Sequence, residues 1–330
     1  MSKIFITGAS GFIGTNLVER LLVSGHSIFN FDINPPLNGD QQDYWHCGDI
    51  MNIDALHNAI QVFEPEIIVH LAARTDTLSP DLEDYKVNTL GSVNVLNAVQ
   101  SATTVKRLIM TSTQYVYKSD SNPFPSTDID FKPHTVYGTS KVISEKETRK
   151  ANLACCWTII RPANIWGPWH MRYPNELWKV IKKGYYVHPG FSPTIRTYGY
   201  VKNVVHQIEE IMQAPLQDVN GKVFYVGDLP VDSFQWLNEI SVQLRQKPLL
   251  RIPSLAIQIP AWVGDIARYI GINAPIHSVR YKNMTEDFYA PTNVTVARFG
   301  IANGSLKENV KETIDWIRAF HPKKALFKEN

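Results

Sequence analysis

Two stretches of this chain bring together side chains able to move a proton. Tyr137-Gly138-Thr139-Ser140-Lys141 sets a phenol and an ammonium four residues apart, and residues i and i+4 share a helical face, so both can point into one site. A phenol with a pKa near 10 is a poor base at neutral pH, and a neighbouring cation favours the phenolate. Tyr-x-x-x-Lys alone arises often by chance. Here it follows Thr111-Ser112-Thr113 by about 25 residues. These hydroxyls end an apolar run, and a strand-end hydroxyl can hold a substrate oxygen beside the tyrosine. Without Tyr137, Thr113 would read equally well as a strand-end cap.

The first fourteen residues hold a second set. A short strand, Ile4 to Ile6, runs into Gly8, Gly11 and Gly14, and then into an amphipathic helix with Ile13, Leu17, Leu21 and Leu22 on one face. Glycines so spaced allow a tight turn, close approach of backbone to a pyrophosphate, and a helix packed hard on its strand. The helix N-terminus adds N–H groups and the positive end of its dipole. Ser27 to Asp32 reads as a second strand ending in an acid, 18 residues past Gly14. A Rossmann unit places a carboxylate there on the adenosine ribose hydroxyls. It accepts hydrogen bonds from the diol and repels a 2′-phosphate, which favours NAD over NADP. The positive charge of oxidised nicotinamide, together with Lys141, would lower the Tyr137 pKa.

The elements that must position these groups alternate. Asn52–Phe63, 84–101 and 137–152 have helical spacing, whereas 67–72, 107–112 and 157–161 are nearly unbroken apolar runs, as in parallel strands covered on both faces. Alternation over about 160 residues predicts an α/β fold, a doubly wound parallel sheet. Beyond Gly167-Pro168 the pattern changes to short helices (176–183, 203–213, 232–246, 306–320) and a strand, 222–226, with 251–295 mixed. The expected organisation is a nucleotide-binding Rossmann domain over 1–167, completed by segments from 196–228, and a smaller α+β substrate-binding cap over 168–330. In that cap Ile257, Ile259, Trp262, Val263 and Ile266 read as core, or else as the lining of an apolar pocket.

At 330 residues, 44% hydrophobic and 19% charged, with a net charge of +2, the chain is ordinary for a globular protein. The charge argues neither for nor against nucleic acid, and no nucleic-acid partner is expected; Lys323, Lys324 and Lys328 read as a solvated tail. No apolar run approaches the roughly 20 residues that span a bilayer, and Met-Ser-Lys leads straight into a strand, without a signal-peptide layout. Cys47, Cys155 and Cys156 form no CxxC motif, which suits a reduced, cytoplasmic setting, with Cys155 and Cys156 as small residues ahead of a buried strand. No metal site is expected.

With these pieces in place, the chain resembles the extended short-chain dehydrogenases/reductases, the NAD-dependent epimerase/dehydratase family that acts on nucleotide sugars. The resemblance rests on Thr7-Gly8-Ala9-Ser10-Gly11-Phe12-Ile13-Gly14, Asp32, Gly48-Asp49-Ile50, His70-Leu71-Ala72-Ala73 and Val87-Asn88-Thr89. It continues through Thr111-Ser112-Thr113-Gln114-Tyr115-Val116-Tyr117, Tyr137 with Lys141, and Arg161-Pro162-Ala163-Asn164-Ile165-Trp166-Gly167-Pro168. The resemblance implies that Gly8, Gly11, Phe12, Ile13 and Gly14 surround the pyrophosphate and Asp32 the ribose. Asp49 and Ile50 would meet adenine, and Leu71, Ala72 and Ala73 the middle of the cofactor, with Asn88 and Pro162 also at cofactor positions. Lys141 would bind the nicotinamide ribose and depress the pKa of Tyr137, the catalytic acid/base, with Thr113 as its hydroxyl partner. Asn164, Asn175 and Arg196 would touch substrate, Arg196 at a diphosphate, and a homodimer would pair through the helices at 84–101 and 137–152.

Departures from the family pattern narrow the reaction. Dehydratases carry Asp-Glu directly after the hydroxyl residue, whereas this chain has Gln114-Tyr115, and Gln cannot protonate a leaving hydroxyl. The type with cysteine at the hydroxyl position is not matched either. His170 and Tyr173 stand where that type would find a second acid, but an aromatic loop more often shapes a pocket. Lys202 and Asn203 replace two positions that are usually acidic. What remains is a simple redox site, that of a nucleotide-sugar 4-epimerase. A 4-keto-sugar reductase and a hydroxysteroid-like alcohol dehydrogenase are the alternatives.

Overall fold

Seven strands form one wholly parallel sheet. They are β1 (Lys3–Thr7), β2 (Ser27–Asp32), β3 (Trp45–Cys47), β4 (Ile67–His70), β5 (Arg107–Thr111), β6 (Cys156–Pro162) and β7 (Lys222–Val226), in the order β7-β6-β5-β4-β1-β2-β3. This computed structural model describes residues 1–117, 127–272, 274–302 and 304–320, and only the backbone of Pro174 and Asn175. The lysines of the C-terminal tail therefore lie outside the described residues.

The sheet is parallel because its strands are apolar on both sides. Ile4 and Ile6 enter one core with Leu17, Leu21, Val69 and Ile109, while Phe5 between them enters another with Phe31, Leu56, Ile68 and Leu108. Helices cover both faces. They are α1 (Phe12–Val23), α2 (Ile53–Phe63), α3 (Lys86–Ser101), α4 (Val136–Lys150) and α5 (Val201–Gln213). Asn52 caps α2 through Ala55 N–H, and Thr135 caps α4 through Gly138 N–H. The apolar residues of α3 (Val95, Leu96, Val99) are used inside the core.

Strand order reverses between β1 and β4. That is the crevice in which doubly wound sheets bind ligands, outside the carboxyl ends of the strands. The glycine loop follows β1, Asp32 ends β2, Leu71 follows β4, Ser112 follows β5, and Pro162 ends β6.

The chain divides into two compact units. The first comprises Met1–Ile165, Gly199–Asp228 and Pro291–Asn303, and the remainder forms the second. In the second, Ile195–Arg196 pairs antiparallel with Val231–Asp232, and Val187–Pro189 pairs parallel with Leu250–Ile252. Its longer helices are α6 (Ser233–Arg245), α7 (Leu255–Tyr269), α8 (Ser278–Thr285) and α9 (Leu306–Phe320). Trp178 and Trp236 are buried, the latter stacked on Tyr198 at 4.1 Å.

Some elements differ from expectation. The apolar run through Ala72 leaves the sheet at His70. Residues 82–85 form a 3-10 turn before α3, and Pro174–Trp178 is a π-helical turn leading into Lys179–Lys182. The largest correction concerns 252–272. Of the five apolar residues expected as core or pocket lining, only Ile257 is buried. The sequence pattern left 251–295 mixed, whereas the structure forms a helix over Leu255–Tyr269 with four of the five side chains facing solvent.

Candidate active site

The glycine loop is shaped by what lies behind it. Gly8 has φ +73°, and a Cβ there would lie 2.5 Å from the Ala72 backbone. At Gly14 a Cβ would collide with Ala9, so this glycine packs α1 onto the loop rather than onto the strand. The N-terminus of α1 has no side-chain cap and no acid in its first turn, which leaves its positive end for an anion. Asp32 closes the loop from β2. Its Oδ2 accepts Ser10 N–H at 3.1 Å and its Oδ1 accepts Asn34 N–H at 2.9 Å. Burial raises its pKa, against the pull of those backbone donors. A carboxylate has about four acceptor sites, so these backbone donors leave capacity for a diol.

Other expected cofactor positions divide. Leu71, Ala72 and Ala73 are half-exposed beside Gly8, with Leu71 N–H on Thr7 O at 2.9 Å. Asp49 is exposed and accepts Met51 N–H, whereas the Ile50 side chain is buried against Gly91. Asn88 is wholly enclosed. Its amide hydrogens go to Arg74 O and Ser140 Oγ, both at 2.9 Å, and its oxygen accepts Arg74 N–H. Its side chain ties the β4 loop to α3 and α4 instead of facing open space. Pro162 is buried at the end of β6.

Thr113, Tyr137 and Lys141 come together. The N-terminus of α4 lies so close to the turn Gln114–Val116 that a Cβ at Gly138 would strike Tyr115 O. This approach brings the Tyr137 phenol into hydrogen bonding with the Thr113 side chain. Tyr137 is 7% exposed, and burial pushes its pKa well above 10. Lys141, one turn on, donates from Nζ to Thr111 O at 2.9 Å, and burial lowers its pKa to about 8. The expected lowering of the tyrosine pKa by Lys141 is thus absent from the protein's own groups. The ammonium is directed to the end of β5, and desolvation dominates at both residues.

Sequence reasoning missed what supports this triad. Ser112 Oγ donates to Glu145, which pairs with Arg161 Nε at 2.8 Å and Nη2 at 2.7 Å. Arg161 also donates to Tyr225 OH at 2.8 Å and lies 5.2 and 5.6 Å from the Tyr117 and Phe131 ring centroids. The pair is almost fully buried and locks α4 to β6. A second chain runs from Thr7 Oγ1 to His70 Nδ1 (2.7 Å) and from His70 Nε2 to Ser92 Oγ (3.2 Å). His70 is pushed down to about 3 by burial and by Lys141, so it stays neutral. The only sequence signal was a polar residue ending an apolar strand.

The remaining positions are described within their own units. Asn164 is half-buried in the first unit, and the Asn175 side chain lies outside the described residues. Arg196, in the second, donates to Glu286 O at 3.3 Å and lies 5.8 Å from the Phe288 ring. Its Nε is buried without a partner among the described residues. His170 and Tyr173 stack at 4.5 Å; burial lowers the His170 pKa to about 4, which leaves it neutral. Asn203 donates to Asp228 Oδ1 at 2.7 Å, so an acid does face this position, from Asp228. Burial raises Asp228 to about 6. Cys156 begins β6, and burial pushes both adjacent thiols up, away from reactive thiolate.

Residues 4–227 match the sequence model of the NAD dependent epimerase/dehydratase family. An N-acetyl-alpha-D-glucosaminyl-diphospho-ditrans,octacis-undecaprenol 4-epimerase from Escherichia coli O157:H7 is 28% identical over 95% of both chains. A 3 beta-hydroxysteroid dehydrogenase/Delta 5-->4-isomerase of Mycobacterium tuberculosis is 28% identical over 80% of this chain and 74% of its own. Among solved structures, the UDP-glucose 4-epimerase of Thermotoga maritima with UDP-glucose has a TM-score of 0.72 at 21% identity, covering 96% of this chain and 99% of that one.

Proposed function

We propose that this chain, which belongs to the NAD dependent epimerase/dehydratase family and is an NAD-dependent enzyme of the extended short-chain dehydrogenase/reductase type, inverts C4 of a nucleotide-diphosphate sugar. One observation carries the reading. The Tyr137 phenol is bonded to Thr113 over Lys141, while the neighbouring Gln114 side chain is buried and offers no acid. Such a site can oxidise a carbinol and reduce the ketone again, and Gln114 does not supply the extra acid that loss of water requires.

The residues present fit NAD. The uncapped start of α1 suits the pyrophosphate, the glycine turn leaves room for it, and the Asp32 carboxylate suits an unphosphorylated ribose. A bound NAD would supply the hydride acceptor, and then the hydride donor, for C4 of the sugar. Thr113 aligns the C4 hydroxyl with Tyr137, whose phenolate removes the proton. After the sugar presents its other face, Tyr137 returns that proton to the new hydroxyl. Lys141, one turn along α4 from Tyr137, would favour the phenolate as an ammonium, and the positive charge of a bound nicotinamide would act in the same direction. The half-buried Arg196, with one N–H unpaired among the described residues, suits a diphosphate. The relatives named for epimerising diphospho-sugars support this class, and Arg196 disfavours the steroid alternative.

The test is incubation with UDP-, GDP-, CDP- and dTDP-sugars, a prenyl-diphospho-sugar and a 3β-hydroxysteroid, with product stereochemistry read by NMR and reduced nicotinamide by absorbance. Inversion at C4 without net reduced cofactor is expected. Stoichiometric consumption or accumulation of reduced cofactor, or turnover of the steroid alone, would overturn the reading.

A further inference from the structure

We propose that Asn30 is a positioning residue for cofactor choice, a role that rests on Asp32 meeting the adenosine ribose as assigned above. Asn30 lies two residues before Asp32 on β2. Through Ser10 it holds the Asp32 carboxylate where it accepts the ribose diol and turns away a 2′-phosphate.

Asn30 stands where folding alone calls for an apolar residue. Side chains alternate along a strand, so Asn30 shares a face with Ile28, and Ile6 lies beside it in register on β1. Both isoleucines enter the core that holds Leu17 and Leu21 of α1. Asn30 is 1% exposed, and burying an amide costs free energy unless its polar atoms are bonded. Here Nδ2 donates to Ser10 Oγ at 3.0 Å, while Oδ1 has no partner among the described residues. Turning the amide over would keep Ser10 as its partner, since a hydroxyl both donates and accepts. A leucine has nearly the same shape and would add apolar surface to this core instead. What distinguishes asparagine at this position is its hold on Ser10.

Ser10 in turn holds Asp32. Its backbone N–H donates to Oδ2 at 3.1 Å, opposite Asn34 N–H on Oδ1 at 2.9 Å. The surrounding backbone is fixed without Asn30. Gly8 N–H donates to Phe31 O at 3.0 Å, and Asp32 O accepts Gly48 N–H at 3.2 Å and the Trp45 indole N–H at 2.9 Å. Between Gly8 and Gly11, the Ala9-Ser10 segment has permissive neighbours that do not set its direction. The bond from Asn30 sets it. Choice between the dinucleotides depends on where the carboxylate points. Hydrogen bonds from a diol need it aimed, and repulsion of a 2′-phosphate falls as it swings away. Losing the bond from Asn30 weakens the first and relaxes the second, so both effects move preference toward NADP.

The full chain, freed of any bound nucleotide, should be titrated calorimetrically with NAD and with NADP, and its unfolding followed in denaturant. The wild-type chain is expected to bind NAD the more tightly. In Asn30→Leu the ratio of the NADP to the NAD dissociation constant should fall about fivefold or more, while the denaturant midpoint stays level or rises. Ser10→Ala, which leaves the β2 side chains in place, should lower the ratio by a similar factor. The double variant should be no worse than either single one, because both remove the same link. A ratio unchanged in Asn30→Leu, or in Ser10→Ala should the leucine variant not fold, would overturn the proposal and leave the Asp32 assignment standing. So would a lowered midpoint with NAD and NADP weakened equally, which would make Asn30 structural only, or effects that add in the double variant. A wild-type chain without preference for NAD would sink the Asp32 assignment and this proposal together.

Discussion

Two helices of this molecule reverse the usual rule in opposite directions. On α4 the buried stripe is polar: Tyr137, Lys141, Ser144, Glu145 and Thr148 all face inward. On α7 the exposed stripe is apolar. Burying a polar group costs free energy unless it is hydrogen-bonded, and exposing apolar surface forgoes the main force of folding. Neither arrangement is what folding alone would select. The α4 stripe is tolerated because its members have partners: Lys141 on Thr111 O, Ser144 on Ser92 and Glu145 on Arg161. Among the described residues, the exposed face of α7 has no equivalent compensation within its unit. A buried polar stripe is thus completed from inside the fold, and an exposed apolar one asks for something outside it.

The comparison breaks first at Tyr137. If the α4 stripe is polar for chemistry, Tyr137→Phe removes the proton donor and acceptor while keeping the ring that packs near Tyr85 and Tyr115. Turnover should fall by about 10²–10⁴-fold, with NAD affinity unchanged. Activity within a factor of ten of wild type would make the stripe structural only.

Glu145 sharpens the other half of the argument. Glu145→Gln leaves the buried Arg161 guanidinium without its counter-charge. Removing one partner of such a pair costs about 3–5 kcal/mol, because the survivor stays desolvated. Denaturant midpoints should therefore fall far more for Glu145→Gln than for Tyr137→Phe. Equal midpoints would show that Arg161 is held well enough by its aromatic neighbours and Tyr225.

The contrast also explains which parts were legible in the sequence. The sheet could be read because Ile4–Ile6 and Ile67–Val69 are apolar on both sides and alternate with helical segments, as covered parallel strands do. Tyr137 with Lys141 was legible because four residues make one helical turn. The partners were not, because Glu145 meets Arg161, and His70 meets Thr7 and Ser92, only through tertiary contacts between distant segments. The face of α7 was hidden for a different reason. A period of 3.6 reports that a stripe exists, and Ala261 and Gly264 decide which side is buried, by permitting close approach of the 274–278 turn.

Lys141 gives the smallest and most particular prediction. Its folded pKa is about 8, against an ordinary 10.5, because burial disfavours the ammonium. Below pH 8 the lysine is protonated in both folded and unfolded chains, and the native state carries the full desolvation penalty. Between pH 8 and 10.5 the unfolded chain binds more protons, so this penalty is relieved as pH rises. At about 1.4 kcal/mol per pKa unit the penalty is roughly 3 kcal/mol, and the lost hydrogen bond to Thr111 O offsets about 1 of it. Lys141→Met should therefore be about 1–2 kcal/mol more stable than wild type at pH 7, with turnover sharply reduced. The gain should shrink toward pH 10. A variant less stable at pH 7, or a gain that ignores pH, would show that Lys141 is not held against its own solvation. The polar stripe of α4 would then be ordinary structure rather than a site maintained at the expense of the fold.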